Sequence, residues 1–202
     1  MFEYDITETN VAVERLLERT TNPRHRFLLE TYNRHRYLEM AGRYEEIFAP
    51  EMTVEHPVYR FDMLDEKLVL DGREQVMAVY ADWAEKGQCI FYAEDEQLAV
   101  GDHMVISRAT LFQQTPGAVL VESGVEVDPQ ATYLMKSRES MIWPYDDRCR
   151  MIGEEVWEFD PSAREIIPIA DEDVLTAAQS AELLEPLIKP LPEFSDEMLP
   201  AA

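Results

Sequence analysis

The stretch FAPEMTVEHPVY, residues 48–59, decides the fold. Its second half has the two-residue period of a strand, which places Val54, His56 and Val58 on one face and polar residues on the other. His56 is therefore the one polar side chain on a face of core character. We predict that it is buried and faces a cavity. The alternative is a core histidine that forms a hydrogen bond with a neighbour.

A helix precedes this strand and begins after Asn22-Pro23, a typical start signal. Its spacing places Tyr32 in the inward apolar stripe and His35 at the margin of that stripe. The same helical spacing places Arg36 and Glu39 on the charged outer face of the helix. Tyr32 and His35 are thus candidates for a site beneath the strand.

Beyond this strand the sequence predicts one helix, followed by four strands of antiparallel character. The helix runs from Arg73 to about Lys86, and Trp83 on it is a candidate for the cavity mouth. The strands are Cys89–Val100, His103–Thr115, Ala131–Trp143 and Arg148–Phe159. Helices first and a meander of strands afterwards predict an α+β fold.

Glu139 lies in the third of these strands on the same face as Met141 and Trp143. Desolvation of a carboxyl group on an apolar face raises its pKa, which suits a general acid at neutral pH. The alternative is a structural carboxylate that shares a hydrogen bond with a core tyrosine or with Arg150.

Further polar and aromatic residues have the position expected of a ligand contact. We assign to substrate binding His35, Tyr59, Trp83, His103, Trp143 and Glu155. Glu155 shares its predicted strand face with Trp157, and a structural role is the plainer interpretation of Glu155 and His103. The four histidines form no HExxH motif or i,i+4 pair, so the sequence indicates no metal site, and no motif for a cofactor is present.

The composition excludes several classes of partner. The 202 residues carry 41 acidic and 18 basic side chains, a formal charge of −23, which repels nucleic acid and anionic membranes. A neutral apolar ligand is unaffected by that field. Cys89 and Cys149 have no metal or redox spacing, and no segment approaches the ~20 apolar residues of a membrane span. These features predict a cytoplasmic protein with buried thiols.

The segment from Tyr32 to Tyr59 resembles the ketosteroid isomerase and SnoaL-like polyketide cyclase group of the nuclear transport factor 2-like superfamily. In ketosteroid isomerases, a tyrosine on an early helix precedes a strand that reads threonine-valine-glutamate-aspartate-proline-valine, and the aspartate is the base. Here His56 takes that place, 24 residues after Tyr32. The family's third group is a protonated acid on a later strand, and Glu139 occupies that phase. The resemblance covers about residues 10–160.

The resemblance implies a cone-shaped, curved antiparallel sheet wrapped around about three helices, with an apolar pocket between them. It further implies proton abstraction next to a carbonyl group, with His56 as base and with Tyr32 and protonated Glu139 as donors to the enolate oxygen. Histidine and glutamate at these positions favour a dehydratase or cyclase over a steroid isomerase. Sequence leaves isomerisation, dehydration and cyclisation open. It also leaves open a non-catalytic binding or assembly module of the same fold, and the family implies a homodimer.

We divide the chain into a domain at 1–160 and a C-terminal extension at 161–202. Asp171 is the predicted N-cap of a helix in a proline-rich extension, and its apolar stripe is expected to pack across the sheet of the same subunit or of a dimer partner. The segment 116–130 is too long for an ordinary hairpin turn, which predicts a flap or a small extra hairpin.

Overall fold

The computed structural model of the protein describes residues 5–64 and 66–200. The helices of this part are α1 (Val11–Arg19), α2 (Pro23–Met40), α3 (Arg73–Glu85), α4 (Gly117–Glu122) and α5 (Ala177–Leu184). Its strands are β1 (Thr53–Met63), β2 (Glu66–Asp71), β3 (Phe91–Gly101), β4 (Met104–Pro116), β5 (Thr132–Pro144), β6 (Met151–Glu158) and β7 (Glu165–Pro168). The predicted α+β class, with helices first and a curved sheet afterwards, is confirmed.

The strands form one curved, unclosed sheet in the order β2-β1-β6-β5-β4-β3, and β7 pairs with β5. The neighbouring strands run antiparallel except β1 and β6, which are parallel. The sheet is therefore mixed rather than purely antiparallel. Helix α2 lies against its concave face, and 11 of its 18 residues are buried. A helix buried around most of its circumference brings polar as well as apolar side chains into the core.

An irregular register joins β1 to β6. The pairing shifts between Thr53 and Val58, and Gly153 lies so close to Val58 that an added Cβ would stand 1.9 Å from the Val58 carbonyl oxygen. Only glycine fits there. Because a register shift changes which residues face the core, the strict two-residue period does not hold through this part of β1.

The segment 116–130 contains helix α4 rather than a hairpin. Leu120 on α4 is buried with Tyr133 and Met135 of β5 in a small apolar cluster, which Leu64 at the tip of the β1–β2 hairpin also contacts. The segment is therefore packed against the first residues of β5, next to the hairpin tip.

The C-terminal extension adds β7 to the sheet beside β5, and its helix α5 then packs on α2 instead of across the sheet. The Ser180 hydroxyl donates to the Met40 carbonyl oxygen at 2.7 Å, Leu184 is buried, and the Phe194 ring meets Phe27 edge to face. The N-cap of α5 is Thr176, whose side chain accepts from the Gln179 amide and forms a capping box, so the assignment of Asp171 as N-cap was wrong.

None of the helices within residues 5–64 and 66–200 has the length and apolar character that crossing a membrane requires.

Candidate functional site

A cavity of about 280 Å³ lies between the concave face of the sheet and helices α2 and α3. Its walls are mainly apolar side chains from the strands and helices that surround it. They include Phe61, Met63, Leu68, Trp83, Phe91, Leu111, Val119, Met141 and Val156. Such a cavity with a few polar groups has the general form of a small-molecule site.

Four glutamates line this cavity. Glu66 of β2 is exposed, and the other three are largely buried, one from each of three elements: Glu39 of α2, Glu139 of β5 and Glu154 of β6. Glu139 is 2% exposed and Glu154 is 5% exposed. The Glu39 side chain is 14% exposed, the most accessible of the three. Carboxyl groups buried this deeply are rare unless they are protonated or paired.

Burial raises the pKa of all three carboxyl groups. The pKa of Glu139 rises to about 7, because the effect of burial exceeds that of the Ser137 hydroxyl, which donates to Glu139 Oε1 at 2.6 Å. The pKa of Glu39 rises to about 8 through burial and the nearby Glu139, although Arg36 opposes the shift. Burial also raises the pKa of Glu154 well above its ordinary value. Near neutral pH the cavity therefore holds both protonated and ionised carboxyl groups.

Two cationic residues line the cavity, Arg36 of α2 and Lys86, and of these Arg36 is buried whereas the Lys86 side chain is 40% exposed. Its Nη1 donates to Glu96 Oε1 at 2.7 Å and to the Tyr32 hydroxyl oxygen at 3.0 Å. Glu96 faces inward because β3 has a register shift at this point, where Asp95 has a φ of 52°. The Ser107 hydroxyl donates to the same Glu96 oxygen at 2.6 Å. The guanidinium is thus held in a fixed position by a buried ion pair.

A second polar chain links α2, α3 and β6. His35 Nε2 is 3.1 Å from the Tyr80 hydroxyl, which donates to Glu154 Oε2 at 3.4 Å. Burial and the neighbouring Arg36 lower the pKa of His35 to about 3, so its ring is neutral at physiological pH. His35 therefore orients the Tyr80 hydroxyl without adding charge to the site.

His56 lies outside the cavity, and the prediction that it is buried there was wrong. Its side chain is 70% exposed, and Nε2 is 2.8 Å from Asp71 Oδ1. The ring packs on Gly72 before α3, where an added Cβ would lie 3.0 Å from His56 Cε1. Tyr59, fully buried beside Tyr80, faces the core in its place. His56 therefore has a structural position: it lies on β1 and packs beside the residue that precedes α3.

Tyr32 is fully buried, as the helix pattern predicted, but it is not among the residues that line the cavity. Its hydroxyl donates to Glu96 Oε1 at 2.8 Å. Trp83 and Trp143 do line the cavity. The hydroxyl hydrogen of Tyr32 is thus donated to the ion pair of Arg36 and Glu96, and the Tyr32 side chain lies next to the cavity rather than within it.

Two further candidates lie away from the site. The Glu155 side chain is 42% exposed and 3.6 Å from Arg60, whereas its neighbour Glu154 faces the cavity. His103 is 51% exposed, 4.0 Å from Asp147. The buried residues of β6 change phase between Gly153 and Glu154, both of which are buried, so Glu154 rather than Glu155 faces inward. Over residues 5–64 and 66–200, no cluster of three or more histidine, cysteine or acidic side chains has an arrangement that could hold a metal ion.

Sequence comparison and structure comparison give different amounts of information. No family model matches the sequence, and no curated protein matches it. Among solved structures, a protein described as a SnoaL-like polyketide cyclase from Jannaschia sp. CCS1 has 15% identity and a TM-score of 0.51, over 68% of this chain and 88% of that one. This likeness shows that the two chains share a fold, in agreement with the resemblance to the SnoaL-like group that the sequence indicated.

Two other structures match with lower scores. An NTF2-like protein with a cystatin-like fold from Novosphingobium aromaticivorans has 16% identity and a TM-score of 0.40, over 80% and 95% of the two chains. A protein described as a ketosteroid isomerase from Parabacteroides distasonis has 12% identity and a TM-score of 0.33, over 78% and 91%.

Proposed function

We propose that this protein is a cofactor-independent enzyme that transfers a proton next to a carbonyl group of a small, neutral, apolar substrate. One observation carries the proposal. Two carboxyl groups, Glu39 and Glu139, line the same apolar cavity, and burial brings their pKa values to about 8 and about 7. Acid–base catalysis is most effective when the pKa of the catalytic group is close to the working pH.

In this proposal ionised Glu139 is the base. It removes a proton from the carbon next to the carbonyl; the C–H electron pair forms a C=C bond, and the carbonyl oxygen becomes an enolate. Protonated Glu39 then returns a proton to the substrate, and Glu139 later gives its own proton to Glu39 or to water, so that the enzyme is restored. Return to another carbon gives isomerisation, return to a leaving hydroxyl gives dehydration, and attack of the enolate on an internal electrophile gives cyclisation.

The cavity also limits the substrate. Its 280 Å³ is close to the lower end of the range for ligand pockets, roughly 300–1,000 Å³, and suits a molecule of one or two rings. The apolar walls and the negative charge of the whole protein favour a neutral ligand over a polyanion.

The test is deuterium incorporation into ketones in heavy water, because it detects proton transfer whatever the final product. A panel of small cyclic ketones is incubated with the protein, and α-deuteration is followed by mass spectrometry. We expect one or more members to exchange faster than in buffer, and Glu139→Gln to lower the catalysed rate at least about 100-fold. The matched control is Glu155→Gln on the outer face of β6, which should exchange at the wild-type rate. Saturable binding without exchange would favour the non-catalytic binding module.

We also propose that the protein is a homodimer that associates through the outer face of the sheet. Met104 and Ile106 of β4 are 40% and 38% exposed there, and Ile106 pairs with Ile142 of β5. Apolar neighbours on an exposed face are typical of an interface. Light scattering at micromolar concentration should give twice the chain mass, and Ile106→Glu should give the monomer mass; a monomeric wild type would contradict the proposal.

A further inference from the structure

Two buried hydrogen-bond donors of the cavity have no partner. Six side-chain polar atoms are buried and unpaired in the described part of the chain, and only two of them belong to residues that line the cavity: Arg36 Nη2 and Trp143 Nε1. An unpaired buried donor costs about 1–3 kcal/mol, and more when it is charged. Both atoms are donors, so a ligand oxygen that accepted from them would relieve the cost.

The surrounding structure holds both donors in place. Arg36 is fixed through Nη1 by Glu96 and Tyr32, which leaves Nη2 unused. The Trp143 ring meets the rings of His35 and Tyr32 edge to face, with centroids 4.5 and 4.7 Å away. Because these contacts already orient both side chains, little further ordering is needed when an acceptor binds.

We propose that Arg36 Nη2 and Trp143 Nε1 form the subsite that binds the carbonyl oxygen of the ligand. The inference rests on the proposed function and adds the group that the substrate must carry, an uncharged oxygen acceptor, and the residues that receive it. The arginine is always protonated, so it favours the negative charge that develops on this oxygen when the neighbouring carbon loses its proton. An ammonium head group has no acceptor to offer and would be repelled by the guanidinium.

This assignment replaces Tyr32 as the donor to the enolate. The Tyr32 hydrogen is already donated to Glu96, whereas Arg36 and Trp143 line the cavity and have free N–H groups. Glu96 is a positioning residue, because it accepts from Arg36 Nη1 and so holds the Arg36 guanidinium in place.

The test compares a ketone with a hydrocarbon of the same shape. Dissociation constants of α-tetralone and tetralin are measured by ligand-detected NMR, and the ratio of the two constants reports the contribution of the oxygen. We expect Trp143→Phe to lower the preference for α-tetralone about five- to tenfold, the equivalent of one hydrogen bond. Arg36→Lys, which keeps the positive charge beside Glu96 but loses Nη2, should lower it at least as much.

Trp157→Phe is the matched control, because it makes the same substitution at a tryptophan of β6 that is not among the residues lining the cavity. Its preference should equal that of the wild type. The thermal melting of each variant verifies folding, and Trp143→Phe decides the result if Arg36→Lys unfolds. The inference is overturned if α-tetralone does not bind, if neither variant changes the ratio, or if Trp157→Phe changes it equally.

Deuterium exchange into α-tetralone on the same samples separates this inference from the proposed function. Exchange with an unchanged ratio would overturn the subsite and leave the proton transfer standing. A ratio that depends on Trp143 without any exchange would support the subsite and remove the proposed chemistry.

Discussion

Replacement of Glu139 by glutamine should change how the stability of the protein depends on pH. The folded protein holds a proton on Glu139 more tightly than the unfolded chain does, because burial raises the pKa from 4.5 to about 7. A raised pKa gives stabilisation that is fully present below the unfolded pKa and is lost as pH rises through the folded pKa. Glutamine is neutral at every pH, so the variant lacks this contribution.

The size of the effect follows from the shift. One pKa unit corresponds to about 1.4 kcal/mol, so the rise from 4.5 to about 7 corresponds to about 3 kcal/mol for a side chain this deeply buried. Between about pH 5.5 and 8.5 the part that is lost is about 2 kcal/mol. The glutamine side chain of the variant keeps an acceptor oxygen for the Ser137 hydroxyl, so the variant should fold normally.

The assay is urea unfolding of the wild type and of Glu139→Gln at a series of pH values. The free energy of unfolding of the wild type should fall by about 2 kcal/mol more than that of the variant between about pH 5.5 and 8.5. Glu155→Gln, which removes an exposed carboxylate from the neighbouring strand, should follow the wild type. Parallel curves for the wild type and Glu139→Gln would refute the raised pKa and, with it, the assignment of Glu139 as a base near neutral pH.

Three more outcomes are expected. His56→Ala should leave the deuterium exchange rate unchanged. It should lower the free energy of unfolding by less than about 1 kcal/mol, because the contact of His56 with Asp71 is exposed. A large loss of exchange rate would show that His56 takes part in the proton transfer. Gly153→Ala should lower the melting temperature severely or prevent folding, because its Cβ would overlap the Val58 carbonyl oxygen, and a wild-type melting curve would contradict the close approach. Deletion of 171–202 should lower the melting temperature without abolishing exchange, because the segment packs on α2 away from the cavity; an equal melting temperature would make it a passive appendage.

The position of Glu139 could be predicted because β5 pairs regularly with β4 over its 13 residues, so that the two-residue period holds throughout. The same rule failed for His56 and Glu155. His56 lies in the irregular pairing between Thr53 and Val58. In β6 the buried residues change phase at Gly153, two residues before Glu155, so the face expected from the preceding residues does not hold there. Pro57, which has no backbone N–H, was a signal that the regular period of β1 was in doubt.

Glu39 and Arg36 were missed for another reason. Periodicity assigned them to a solvated face, which presumes that α2 has one, whereas the curved sheet and the C-terminal extension cover most of the helix. Glu96 depends on the register shift at Asp95, which no pattern in the sequence revealed. These side chains reach the site through tertiary packing, on which local periodicity carries no information.

The pH dependence of deuterium exchange tests the central claim most directly. For a ketone that exchanges, the catalysed rate should rise with an apparent pKa near 7 as Glu139 ionises and fall with one near 8 as Glu39 loses its proton, with a maximum between the two. In Glu139→Gln the catalysed rate should be lost at every pH. A rate that rises steadily with pH, equally in the wild type and in Glu139→Gln, would contradict proton transfer by the carboxyl groups of this cavity.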